Sequence, residues 1–182
     1  GRGNVEVVAG FYPLAWAAEQ VGGKRVVVRN LTPAGTEPHD LELTTDQRDD
    51  IEDADVVLVL GDGFQAAVED AAEARDSGTV ELLRRLPIDD RSDDLDPHVW
   101  LDPGLMQSIV DETAAALTKA DPAGAATYAR RAATVSADLD ALDALVGGLG
   151  VAHGLMVCGS LRLAETERPA LTSLRHARVD RG

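Results

Sequence analysis

Two histidines in this chain stand where coordination chemistry is possible. His98 lies within Asp96-Pro97-His98-Val99-Trp100-Leu101-Asp102-Pro103, bracketed by two Asp-Pro pairs. Each Pro fixes its own φ at about −65° and pushes the Asp before it out of the α region, so the backbone on both sides is stiff before any tertiary contact forms. His39 closes Thr32-Pro33-Ala34-Gly35-Thr36-Glu37-Pro38-His39 and, like His98, follows a Pro among acidic neighbours. A neutral imidazole is the commonest ligand for Zn²⁺, and a nearby carboxylate can orient its second nitrogen. Glu37, Asp40 and Glu42 are placed either to support His39 in this way or to form a solvated loop and helix entry. Trp100 could close over a bound ion, but packing between loop and sheet is the favoured role, because a large aromatic contributes most through buried area.

Composition narrows the chemistry. The 182 residues carry 32 Asp and Glu against 17 Lys and Arg, a formal charge of −15. That balance excludes a phosphate-backbone binder, which needs a basic face, and suits cationic ligands. Cys158 is the sole cysteine, so neither an internal disulfide nor a Cys-x-x-Cys metal or redox site exists. A histidine-bound Zn²⁺ can also activate water for hydrolysis. No His-Glu-x-x-His pair or serine-nucleophile elbow is present, so the expectation is binding without catalysis.

The elements that must position the two histidines read as alternating strands and helices. Val5-Glu6-Val7-Val8-Ala9 is a buried strand, and Gly10-Phe11-Tyr12-Pro13 turns it into a helix with Pro13 as a first helical residue, running to Val21 and closed by Gly22-Gly23. Phe11 and Trp16 are candidates for the core or an interface. Val26-Val27-Val28 is a second strand. Thr44 or Thr45 is the expected N-cap of a helix through Ile51. Val56-Val57-Leu58-Val59-Leu60 is apolar throughout, as for a central strand of a parallel sheet covered on both faces. A helix over 64–74 and a fourth strand over 79–83 follow. This order predicts a doubly wound α/β fold with a mainly parallel four-stranded sheet and flanking helices. Ligands in such sheets bind beyond the carboxyl ends of the strands, and His39 follows strand two as His98 follows strand four.

Residues 87–96 form an acidic loop, read as a solvated charge run, with a cation-attracting lid as the alternative. After Pro103 a helix is expected to about Ala120, with Leu105, Met106, Ile109, Val110, Thr113 and Leu117 on its apolar stripe. Asp121-Pro122 opens a further helix whose apolar residues Tyr128, Ala132, Val135, Leu139, Leu142 and Val146 step by four and three to Gly147-Gly148. At roughly 25 residues it would extend about 37 Å, long for a cover helix and suited to a strut.

Four stretches recur together in a known family: Gly10-Phe11-Tyr12-Pro13-Leu14; Pro33 through His39 to Leu43; Ala54-Asp55-Val56-Val57 to Gly61-Asp62-Gly63; and Asp96 through His98 to Pro103. In this order the chain resembles the metal-binding (zinc/manganese) solute-binding proteins of ABC transporters, over residues from about 5 to 148. The resemblance implies two (β/α) lobes joined by one long helix, with Zn²⁺, or alternatively Mn²⁺, carried as cargo in the cleft between them. It implies His39 and His98 as metal ligands from the first lobe, and a third His or Glu and a fourth carboxylate from the second. It also implies an extracytoplasmic protein that passes its metal to a membrane ABC permease. The start at Gly1-Arg2-Gly3, without Met or an apolar leader, is then expected of a mature protein freed of a targeting segment, such as a lipoprotein tether.

The expected division is a metal-binding lobe over 1–121, a linking helix over 122–148 and an atypical tail over 149–182. From Gly159 onward five Arg meet three acids and apolar periodicity is lost. His153 and His176 do not stand in the family's third-ligand motif. The second lobe is therefore expected to be missing, through truncation or a frame shift near residue 150. Two histidines alone imply weaker metal binding than a complete shell, and leave an adhesion or interaction module of the same fold as the alternative function.

Overall fold

A computed structural model describes residues 3–88 and 96–148, with the side chains of 146–148 outside the description. The tail over 149–182, with its expected truncation or frame shift, and most of the acidic loop fall outside the described residues.

Four parallel strands form one sheet: β1 (Val5–Ala9), β2 (Val26–Asn30), β3 (Val56–Val59) and β4 (Thr79–Glu81), in the order β2-β1-β3-β4. Register places Val7 between Val28 and Val56, and Leu58 opposite Val80. Strand alternation divides the side chains between two cores, as the period of two requires. Val5, Val7, Ala9, Val56, Leu58 and Val80 point to one side, and Val8, Val57 and Val59 to the other. The first side is covered by α1 (Tyr12–Gly22), α4 (Pro103–Ala120) and α5 (Ala125–Gly148). The second is covered by α2 (Thr45–Asp53) and α3 (Ala66–Glu73). All four residues of β3 are buried, as an unbroken apolar run requires when helices cover both faces. The doubly wound fold with flanking helices and a long final helix is the one the sequence predicts.

Several boundaries differ for physical reasons. Helix α1 begins at Tyr12, with Pro13 one place inside the first turn, where a missing N–H is still harmless. Strand β4 stops at Glu81, and Leu82 and Leu83 leave it in a turn, their N–H groups bonded to the Val59 and Leu60 carbonyls and their side chains buried. Helix α3 begins at Ala66, because the turn before it carries glycines with φ of 95° at Gly61 and 79° at Gly63. The last helix starts with a 3-10 turn over Pro122–Gly124 before α5 proper. Thr44 is the cap of α2, with Gln47 completing a reciprocal capping box.

Among the described residues the seam of α5 is buried toward its start. Tyr128, Ala132 and Val135 are buried and Leu139 partly so, whereas Leu142 is 46% exposed. Tyr128 anchors the corner between α4 and α5. Its hydroxyl donates to Asp121 Oδ2 at 2.8 Å, and Arg25 Nη2, from the turn between α1 and β2, donates to the same oxygen at 2.6 Å. Arg131 Nε adds a bond to the Gln20 carbonyl at 2.7 Å.

The hydrogen bonds from Arg25 and Tyr128 hold the Asp121 carboxyl below its usual range. A depressed folded value means that its contribution is complete above the ordinary carboxylate pKa of about 3.9 and fades as pH falls through the folded value. Asp121→Asn should therefore lower the melting temperature at neutral pH and flatten its decline in acid. Tyr128→Ala should cost about 3–5 kcal/mol in urea denaturation, through the cavity it leaves.

Candidate metal site

The chain leaves β1 toward β2 on one side and returns to β3 on the other, so the connections part between β1 and β3. In open α/β sheets that point forms a crevice beyond the strand ends. Gly10 and Phe11 leave β1 there, and Gly61 to Gln65 leave β3. Both predicted ligands are brought to this crevice: the ring centroids of His39 and His98 lie 6.4 Å apart, with planes inclined at 71°.

His39 sits in a short 3-10 turn, Pro38–Asp40, with its side chain 42% exposed. Its Nδ1 lies 3.2 Å from the Phe64 carbonyl oxygen, and its ring packs edge-on against Phe64 at 4.2 Å between centroids. A carbonyl can only accept, so Nδ1 carries the proton and Nε2 keeps its lone pair. Glu37 Oε1 stands 3.9 Å from that Nε2. Of the three acids proposed around His39, all of them exposed, Glu37 is the one near the ring.

His98 is fixed by its own motif. Asp96 Oδ1 accepts the His98 backbone N–H at 3.0 Å and the ring Nδ1–H at 2.6 Å. The second ring is therefore also an Nδ1–H tautomer with Nε2 open. Burial pushes the Asp96 carboxyl up, but the backbone and ring hydrogen bonds from His98 hold it below the usual carboxylate range. The second Asp-Pro pair does different work: Asp102 Oδ1 accepts the Leu105 N–H at 2.9 Å, and Pro103 is the first residue of α4. One pair aims the imidazole, and the other caps the helix that follows.

Aromatic side chains floor the crevice. Trp100 meets Phe11 edge-on at 4.7 Å and Phe64 at 5.5 Å, and lies 5.2 Å from the His98 ring. Phe11 is buried, and Trp100, partly buried, packs between loop and sheet as favoured while also touching a histidine. Trp16 packs against the same core. Among the described residues no set of three or more His, Cys, Asp and Glu side chains converges as a metal shell. Gln65 and the Phe64 carbonyl also belong to the crevice, and the sequence does not single them out. Neither leaves a trace in a motif: the first is a single glutamine at a helix start, and the second is a backbone atom.

These features have counterparts in known proteins. The family model described as zinc-uptake complex component A, periplasmic, matches residues 7–147, and the chain belongs to this family of metal-binding ABC-transporter solute-binding proteins. It is 32% identical over 144 residues to the manganese-binding lipoprotein MntA of Halalkalibacterium halodurans, covering 77% of this chain and 48% of that one. It is 29% identical over 169 residues to the zinc-binding protein AdcA of Streptococcus pyogenes, covering 78% of this chain and 33% of that one. The crystal structure of the metal-dependent lipoprotein YcdH from Bacillus subtilis superposes with a TM-score of 0.71 at 31% identity, over 78% of this chain and 54% of that one. The chain thus spans between a third and about half the length of the curated relatives it matches. Those relatives are metal-binding proteins rather than enzymes.

Asp96→Ala should release the His98 ring. Long-range ¹⁵N–¹H imidazole spectra are expected to move His98 from one tautomer to a mixture of two while leaving His39 unchanged.

Proposed function

We propose that this chain carries the first-lobe half of an extracytoplasmic solute-binding protein that captures a divalent transition metal, zinc in preference to manganese, for a membrane ABC permease. The observation that carries this reading is the pairing of His39 and His98 beyond the strand ends, each with Nδ1 committed to a fixed acceptor and Nε2 left open. Residues 1–121 form the metal-binding lobe and 122–148 the linking helix. The metal is cargo, and no chemical step acts on it.

Zn–N bonds are about 2.0–2.1 Å, which puts each ring centre about 3.2 Å from the ion. A tetrahedral N–Zn–N angle then sets the centres about 5.2 Å apart. The observed 6.4 Å is wider by about 1 Å, so a shared ion would draw the two rings slightly closer. Two imidazoles favour zinc, because softer nitrogen ligands suit it and oxygen ligands suit manganese. They fill half of a tetrahedral shell, and the other half is left to water or to ligands beyond these two loops.

Calorimetric titration of this chain should show zinc bound more tightly than manganese. His39→Ala and His98→Ala should each weaken zinc binding by more than about tenfold, the lower bound for disturbing even an outer partner of a metal ligand. Unchanged zinc affinity in either variant would exclude the reading.

A further inference from the structure

Among the described residues three polar side chains are buried: Thr32, Gln65 and Thr113. Thr113 is satisfied within its own helix, its hydroxyl donating to the Ile109 carbonyl at 2.8 Å. The other two meet in the crevice. Gln65 Nε2 lies 3.2 Å from the Gly10 carbonyl oxygen, 3.1 Å from Thr32 Oγ1 and 3.2 Å from the Pro38 carbonyl oxygen, and Thr32 Oγ1 donates to Gly10 at 2.7 Å. Both carbonyls can only accept, so the amide nitrogen must face them.

Gln65 is 3% exposed, and its Oε1 is buried without a hydrogen-bond partner. A methionine would fill the same volume without an unsatisfied oxygen. Retaining an amide in this position costs stability, and what it secures is the bond to the Pro38 carbonyl, on the peptide that leads directly into His39. The residue before it, Phe64, supplies the carbonyl that accepts His39 Nδ1–H. Two consecutive residues from the turn between β3 and α3 therefore hold His39, one by its ring and one by its backbone.

We propose that Gln65 is a positioning residue for His39: its amide ties the Pro38–His39 peptide to the ends of β1 and β3, and so sets the direction in which the Nε2 lone pair meets a divalent metal. The proposal rests on the reading of His39 as a ligand. It places the control of metal affinity in a buried residue that touches neither metal nor imidazole.

Gly10 offers an independent handle. A Cβ there would fall 2.2 Å from Gln65 Oε1, the far end of a flexible side chain, while the nearest backbone atom stays 3.7 Å away. Gly10→Ala should therefore displace the amide without altering the residue itself or breaking the fold.

The test uses the chain as it stands, zinc chloride alone as ligand, and ¹⁵N imidazole spectra of the metal-free protein. Gln65→Met and Gly10→Ala should each weaken zinc binding about tenfold and shift the His39 tautomer signature, with His98 unmoved. Ile109→Val, a core truncation within α4 that removes none of the hydrogen bonds around His39, should lower the melting temperature while retaining the parent affinity and spectra. Parent affinity and His39 signals in both crevice variants would overturn the proposal. So would an equal loss of affinity in Ile109→Val, which would mark a general loosening. If Gln65→Met does not fold, Gly10→Ala decides alone. If the parent fails to bind zinc, the metal reading falls; the metal-free His39 signature then decides for positioning if it shifts in the variants and against it if it does not.

Discussion

The crevice depends on the carbonyl of Gly10, left without a strand partner where β1 ends and its neighbours part. A buried backbone acceptor must find a donor. Here it finds two, the Thr32 hydroxyl at 2.7 Å and the Gln65 amide at 3.2 Å. Satisfying that one atom draws together the exit from β2, which leads to His39, and the exit from β3, which holds the His39 ring. Gly10 must itself be small for Gln65 to approach. The requirement is generic to parallel sheets; its solution with side chains from two neighbouring loops places an imidazole at the crevice.

Fixing ring orientation is the second layer. An imidazole in water exchanges tautomers freely, and only one of the two presents Nε2 as a base. Each ring here is held by an acceptor that cannot donate, a carbonyl for His39 and a carboxylate for His98. The aromatic floor of Phe11, Phe64 and Trp100 supports both rings from below. It also keeps water from one side of the pair, which strengthens the polar contacts made there. The two side chains are similarly exposed, His98 at 36% beside its Asp96 partner and His39 at 42% in a short 3-10 turn.

Legibility in the sequence followed the range of the interaction. The strand and helix order was readable because burial leaves β1 apolar at every position but Glu6 and imposes four consecutive buried residues on β3. The pairing of His39 with His98 was readable because both follow strands whose carboxyl ends share one edge. The roles within Asp96 to Pro103 were half readable: two stiff Asp-Pro pairs are visible, but not that Asp96 aims a ring while Asp102 caps a helix. Gln65 was not readable, since its meaning lies in three acceptors from residues 27 to 55 positions away. The seam of α5 was readable as a period but not in its extent of burial. Its apolar period continues to Leu142, but the packing against α1 and α4 that buries Tyr128 and Val135 does not reach that residue.

Charge and ligand chemistry separate attraction from selection. A net charge of −15 raises the local concentration of every divalent cation, but screening over about 8 Å at physiological ionic strength makes that pull diffuse and indifferent to identity. Calcium and magnesium, which are more abundant and prefer oxygen, would gain from it as much as zinc. Under the proposed function, discrimination within these two loops would come from the two nitrogens, which hard cations bind poorly. For the function proposed, the acidic surface therefore supplies encounter, and the fixed imidazoles supply choice. On that division the orientation of each ring rests on a fixed partner, the Phe64 carbonyl for His39 and the Asp96 carboxylate for His98, rather than on the more exposed carboxylates around them.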